Sequence, residues 1–225
     1  MKVTTTSDFK FKFKDVEDEN CRIDYAKVFS STFETNLTNF DLQKLNSKKW
    51  ERLKSVDLLL HEKSVIWRIW HNALINFKIA NIMGLISDCR CPYCYIENCD
   101  CRHIIFCSSS ESLWKHVWYI IYQSGFKLDK PDRLFGVEKA GFINTLIYLC
   151  INILYKRFLY NINSGLSDYD LIKRYNVRLY ELIYNSFSSA KKENKLDKFI
   201  KYWNYGKGLF EITNNEIIIL PAHST

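Results

Sequence analysis

The chain has 225 residues, 47% of them hydrophobic and 16% aromatic, with 32 Lys+Arg against 25 Asp+Glu for a net charge of +7. This composition excludes wholesale disorder, and the length suits one domain, or one domain with arms, around a sizeable core. Only 7 Gly and 3 Pro argue against a sandwich or barrel, which need turn residues about every eight to twelve positions.

The run Phe9-Lys10-Phe11-Lys12-Phe13-Lys14 alternates strictly, the pattern of a short half-buried strand. An acidic patch (Asp15, Glu17, Asp18, Glu19) follows it, and residues 1–40 read as an N-terminal arm. From Phe40 the period lengthens. Leu42, Leu45, Trp50, Leu53, Val56 and Leu60 predict one or two helices. Val65, Ile66, Trp67, Ile69, Trp70 and Leu74 form a wide apolar stripe, so this helix is expected to be largely buried. A short helix from Phe77 to Met83 stops at Gly84, a C′ glycine. Residues 41–125, in which six cysteines crowd between Cys89 and Cys107, read as a helical zinc-binding segment.

Ser108-Ser109-Ser110-Glu111 opens a further helix, with a serine satisfying free N–H groups. It carries Leu113, Trp114, Val117, Trp118 and Ile121 and ends near Gly125. A loop with Pro131 leads through Leu134-Phe135-Gly136 to a long helix over about 140–162, closed by Ser164-Gly165. Its apolar run, Phe142 to Tyr155, is interrupted by Asn144 and Asn152 and falls short of the roughly 20 residues a bilayer requires. It reads as a buried helix, and no membrane partner is expected. Ser167-Asp168 is expected to cap the next helix, whose apolar face is Leu171, Ile172, Tyr175, Leu179, Leu182 and Ile183. Lys191-Lys192-Glu193-Asn194-Lys195 then leads to Phe199, Ile200 and Trp203. Residues 126–205 read as a basic helical segment. Residues 206–225 read as a hairpin-like tail, with Asn214-Asn215 suited to a tight primed turn because Asn tolerates positive φ. The predicted fold is mainly α, a helical bundle around a zinc knuckle, with short β pieces at the N- and C-termini.

Six of the eight cysteines fall between Cys89 and Cys107, with Cys21 and Cys150 apart. A disulfide framework would spread them along the chain. The opening Met1-Lys2-Val3-Thr4-Thr5-Thr6 has no apolar signal region, so a reducing intracellular setting, nucleus or cytoplasm, is expected. Clustered thiols there read first as metal ligands. Cys91-Pro92-Tyr93-Cys94, His103 and Cys107 spell C-x2-C-x8-H-x3-C. The two-residue gap turns both knuckle sulfurs to one ion, and His103 and Cys107, four apart, share a helical face. Three thiolates and an imidazole form a closed tetrahedral set suited to structural Zn²⁺, with no open position for a catalytic water. Cys89, Cys99 and Cys101 are alternative ligands, and the competing reading is a group of free thiols. His61, His71 and His116 sit among apolar helical residues and read as surface or hydrogen-bonded histidines, and His223 lies in the tail.

Residues 151–205 hold ten Lys/Arg against five Asp/Glu, compatible with a nucleic-acid partner. Lys156, Arg157, Lys173, Arg174, Arg178, Lys191 and Lys192 are the candidate phosphate contacts. The competing reading is a solvated helix face. Trp67, Trp70, Trp114 and Trp118, at helical spacing, are expected in the core rather than as a stacking platform for bases. Loops of the GxxxxGK[ST] type, GxSxG elbows, HExxH motifs and polymerase palm signatures do not occur. Lys130-Pro131-Asp132 matches the opening of restriction-type nuclease sites, but the residues after it lack the second acid and lysine that hold a metal there.

The cysteine segment and its flanks resemble the zinc-binding region that ends the reverse transcriptases of LINE-type, non-LTR retrotransposons. The matching residues are Trp67-Arg68-Ile69-Trp70-His71-Asn72-Ala73-Leu74, Gly84-Leu85-Ile86-Ser87, the Cys91–Cys94 knuckle, His103-Ile104-Ile105-Phe106-Cys107 and Trp114. Leu134-Phe135-Gly136, Ile143-Asn144, Ile153-Leu154-Tyr155-Lys156-Arg157 and Phe199-Ile200-Lys201-Tyr202-Trp203 continue the likeness, which spans about residues 45–204. It departs at Ile75, where the family has proline, and at Arg102, where it often has an acid. The resemblance implies a non-catalytic accessory module that grips retroelement RNA or target DNA, in a chain that carries no polymerase of its own. The alternatives are a zinc-stabilised helical protein-interaction module with a protein partner, or a metal-dependent nuclease remnant using Asp132.

Overall fold

The computed structural model describes residues 47–220 apart from 72, 97–99, 124, 126–131, 139, 165–169, 204–208 and 215. The expected N-terminal arm and its strand lie outside the described residues. From Leu45 onward the chain forms one compact unit. Its elements are α1 (Ser47–Ser55), α2 (Leu60–Trp70), α3 (Phe77–Ile82), α4 (Cys101–Phe106), a 3-10 turn (Ser108–Ser110), α5 (Glu111–Gln123), α6 (Asp132–Phe135), α7 (Gly141–Ser164), α8 (Leu171–Lys192), α9 (Leu196–Trp203), β1 (Phe210–Thr213) and β2 (Glu216–Ile219). The fold is mainly α, and the sheet among the described residues is this one hairpin.

The core is organised by α7. Every residue from Phe142 to Tyr155 is buried, so this stretch of the helix has no solvent face and must be covered on all sides. α1, α2, α4, α5, α6, α8 and α9 all pack on it. Of the apolar window within Gly141–Asn161, which is long enough to cross a membrane by length and composition, 89% is buried inside the fold.

The polar residues on α7 each tie down a covering segment. Asn144 Oδ1 accepts from Val137 N at 2.6 Å and its Nδ2 donates to Val137 O at 2.8 Å. Thr145 Oγ1 lies 2.6 Å from the Tyr202 hydroxyl of α9 and accepts from Asp57 N at 3.1 Å. Asn152 Nδ2 donates to Tyr148 O at 2.9 Å and Glu62 O at 3.3 Å. Buried amides and hydroxyls satisfied in this way fix which segment lies where. Just before α7, Gly136 takes φ 72°. A Cβ there meets the Asn144 amide and the Tyr148 hydroxyl.

Local capping follows side-chain chemistry. Asn76 Oδ1 accepts from Ile79 N at 3.0 Å and starts α3, and Gly84, at φ 69°, follows that helix as expected. The cap of α8 is Asp170, whose Oδ1 accepts from Lys173 N at 2.9 Å; the expected Ser167-Asp168 lies outside the described residues. The hairpin pairs Thr213 with Glu216, and Asn214 takes φ 53°, as a primed turn requires.

One charged pair joins α8 to α2. Arg178 Nε and Nη2 bond the two oxygens of Glu62 at 2.9 and 3.1 Å, and Glu62 is only 1% exposed. Burial raises the Glu62 carboxyl, but the hydrogen bonds and charge of Arg178 outweigh it and hold the group below its ordinary 4.5. A depressed carboxylate contributes stability that is present above about pH 4.5 and is lost as pH falls through its folded value.

Two stability predictions follow from this packing. Glu62→Gln is expected to lower stability at about pH 7 by about 3 kcal/mol, because Arg178 loses its buried partner. The same substitution should flatten the loss on acidification to about pH 3.5, measured by denaturant unfolding. Gly136→Ala is expected to destabilise by about 1–3 kcal/mol through positive φ and the missing space, read as a lowered Tm with the helical circular dichroism retained.

Candidate metal centre

The site lies between the end of α3 and the start of α5. Cys91 N donates to Ile96 O at 3.0 Å, and Tyr95 N donates to Cys91 O at 2.7 Å. These bonds close a tight loop, helped by the fixed φ of Pro92 and by Tyr95 in the left-handed region at φ 59°. Asp100 then caps α4, its Oδ1 accepting from His103 N at 2.7 Å. That cap sets the helical turn which carries His103 and ends at Cys107.

The four expected ligands converge. Cys91 Sγ lies 3.7 Å from Cys107 Sγ, and Cys94 Sγ lies 3.1 Å from His103 Nε2. All four ligand atoms fall within 4.8 Å of one another. A tetrahedron with metal–sulfur bonds of about 2.3 Å has sulfur–sulfur edges of about 3.8 Å, so the cluster has the size of a mononuclear site. Cys91 and Cys107 are buried, while Cys94 and His103 are half-buried. The donor set fits a soft divalent cation with no further protein ligand required.

The alternative cysteines separate from this group. Cys101 is buried with its Sγ 3.5 Å from Leu74 O, and burial pushes its thiol up to about 11, which marks an inert structural cysteine. Cys89 is outside the cluster, and Cys99 lies outside the described residues. The Cys91 thiol and burial push the Cys107 thiol up to about 12. Without a cation, Cys107 keeps its proton at neutral pH. Metal loading must release that proton, so affinity falls as pH falls.

The candidate basic residues divide into two groups. Lys173, Arg174, Lys191 and Lys192 are exposed on one side of α8, and Lys156 is exposed on α7. Arg178 is occupied by Glu62 and by Glu181, the latter at 3.0 Å. Arg157 is 7% exposed and points inward, with its Nη2 2.9 Å from Ser109 Oγ. Arg157 is buried and Arg178 half-buried in these contacts, and both bind other parts of the fold. Ser109, expected only as part of a helix start, lies with its Oγ 3.1 Å from Cys107 Sγ. Its sole sequence signal is its place two residues beyond a ligand.

His61 is exposed, and His116 Nε2 lies 2.8 Å from Asn176 Oδ1, so neither adjoins the cluster. Trp70 and Trp114 are core residues, but Trp67 and Trp118, expected beside them, are 39% and 46% exposed. Asp132 opens the short helix α6 rather than the strand a restriction-type site uses, and Lys130 and Pro131 lie outside the described residues.

The chain is expected to bind one divalent metal ion, more weakly toward acid pH. Cys94→Ser should remove most of that binding and Cys89→Ser should leave it intact, as measured by metal content after gel filtration. Comparison with family models, with curated proteins and with solved structures gives no match for this chain.

Proposed function

We propose that the chain is a zinc-stabilised, non-catalytic nucleic-acid-binding module of the kind that ends LINE-type reverse transcriptases, acting on retroelement RNA or target DNA. The convergence of Cys91, Cys94, His103 and Cys107 on one point carries the reading. Three sulfurs and one imidazole favour Zn²⁺ among the common divalent ions, and four protein ligands make a closed structural site. The described cysteines form no disulfide, as a metal-ligating role in a reducing compartment needs.

The nucleic-acid half rests on the exposed side of α8. Lys173 and Arg174 stand near its start and Lys191 and Lys192 at its end. At 1.5 Å per residue the two pairs are about 27 Å apart, a span that matches several successive phosphates rather than one. Residues 45–225 hold 25 Lys/Arg against 17 Asp/Glu, which supplies a background attraction for a polyanion.

A filter-binding titration of the zinc-loaded chain with single-stranded RNA and duplex DNA tests this. Affinity should fall steeply between about 50 and about 200 mM salt. Changing Lys173, Arg174, Lys191 and Lys192 together to Gln should flatten the log–log salt slope by up to about 3, with Tm unchanged. Zinc binding without salt-dependent association would leave the metal module and remove the nucleic-acid role.

A further inference from the structure

Arg157 is buried, and no carboxylate among the described residues pairs with it. Its contacts among the described residues are neutral. Nη1 donates to Ser109 O at 3.3 Å, and Nη2 donates to Ser109 Oγ at 2.9 Å and Ser110 Oγ at 3.3 Å. The guanidinium lies 4.0 Å from the centre of the Tyr93 ring, and Nε has no hydrogen-bond partner. A guanidinium buried in this way is costly unless some anion offsets its charge.

The ligand cluster adjoins this arginine and becomes negative when its thiols ionise around a cation. Tyr93 lies between Cys91 and Cys94, and Ser109 follows Cys107 by two residues. Arg157 lines the same small enclosed space as Cys91 and Cys107. A guanidinium has only donors, so the Ser109 hydroxyl must accept from Arg157. The Ser109 hydroxyl and the Cys107 sulfur are 3.1 Å apart and either can donate; once Cys107 is a thiolate it can only accept, and the Ser109 proton then turns to it. Three thiolates and a neutral imidazole around a divalent ion carry a net charge of −1, equal and opposite to that of Arg157.

We propose that Arg157 is the counter-ion of the metal centre and a positioning residue for it, acting through Ser109 on the Cys107 sulfur. The inference rests on the Cys₃His reading above. Arg157 sets the charge the centre accommodates, and Ser109 orients the sulfur and lowers its reactivity. The arginine thus ties the metal loop to the core helix α7 by charge as well as by packing.

Co²⁺ titration of the full chain, with Arg157→Met, Arg157→Lys and Ser109→Ala, tests the proposal. Arg157→Met should weaken Co²⁺ binding about tenfold to a hundredfold, and Arg157→Lys should recover most of the loss. Ser109→Ala should shift the sulfur-to-cobalt charge-transfer band and speed alkylation of Cys107 by iodoacetamide. A purely packing role would lower the Tm of the metal-free chain and leave band and alkylation rate unchanged, and that result overturns the proposal. Should Arg157→Met not fold, the Ser109→Ala spectrum and alkylation rate decide alone. A wild-type chain with no charge-transfer band overturns the Cys₃His reading itself. A wild-type band with variants indistinguishable from it overturns only the role of Arg157.

Discussion

The constraint on which the structure depends is a helix with no outside. From Phe142 to Tyr155, α7 is buried at every position, so apolar burial alone does not say which segment covers which side. Hydrophobic contact is non-directional, and a uniformly apolar rod would accept its neighbours in many arrangements. The polar side chains of α7 supply the direction. Asn144 binds the segment before the helix, Thr145 binds Tyr202 and Asp57, Asn152 binds Glu62 O, and Arg157 reaches the serines after the last ligand. Each address lies at a different height along the helix, and each is selective because leaving the group unmade costs more than making it gains.

The metal loop fits this scheme as a segment that cannot hold itself. Between Gly84 and Asp100 the described residues form turns and no helix or strand, and the loop closes through few backbone bonds. Such a segment is weakly determined by propensity. In the proposed zinc form the ion supplies the missing cohesion, since metal affinity in a site absent from the unfolded chain is folding free energy. Arg157 would then be the point where that cohesion is passed to α7. Cys91 and Cys107 of the knuckle belong to the same core cluster as α7, and Tyr93 and Cys94 pack against it.

Much of this was legible from residue order. The periods over Val65–Leu74, Leu113–Ile121 and Leu171–Ile183 located α2, α5 and α8 to within a turn or two, and the Cys-x2-Cys and His-x3-Cys spacings selected the four atoms that converge. These are short-range features, set by helical geometry and turn chemistry. The fates of Arg157 and Arg178 were not legible. Their partners are 48 and 116 residues away in sequence, and a lysine–arginine pair on an apolar helix looks the same whether it faces phosphate or protein. Trp67 and Trp118 share helical spacing with buried neighbours yet sit at the rim of their stripes, where a shift of one position, about 100° around the helix, turns core into surface. The α8 cap was misjudged because Ser167, Asp168 and Asp170 are all competent caps, and only the register of the helix chooses among them.

Under the proposed function, the division of the basic residues bears on where a polyanion would dock. A Cys₃His site holding a divalent ion is itself slightly negative, and Arg157, the cation beside it, faces inward. In the proposed zinc form the centre would therefore be poorly suited to bind phosphate, and its contribution would be to the scaffold. Of the candidate basic residues that stay exposed, four stand on α8 and Lys156 stands on α7; α8 is held to α2 by Arg178 and Glu62 and packed along α7. Arg157 and Arg178 bind within the fold, and four exposed residues on one helix would present charge to the polyanion. Because those four are fixed at both ends of the same element, their spacing is set by helical rise and does not depend on loop conformation. A rigid array of that kind is complementary to a regular polymer of charge more than to a single small anion.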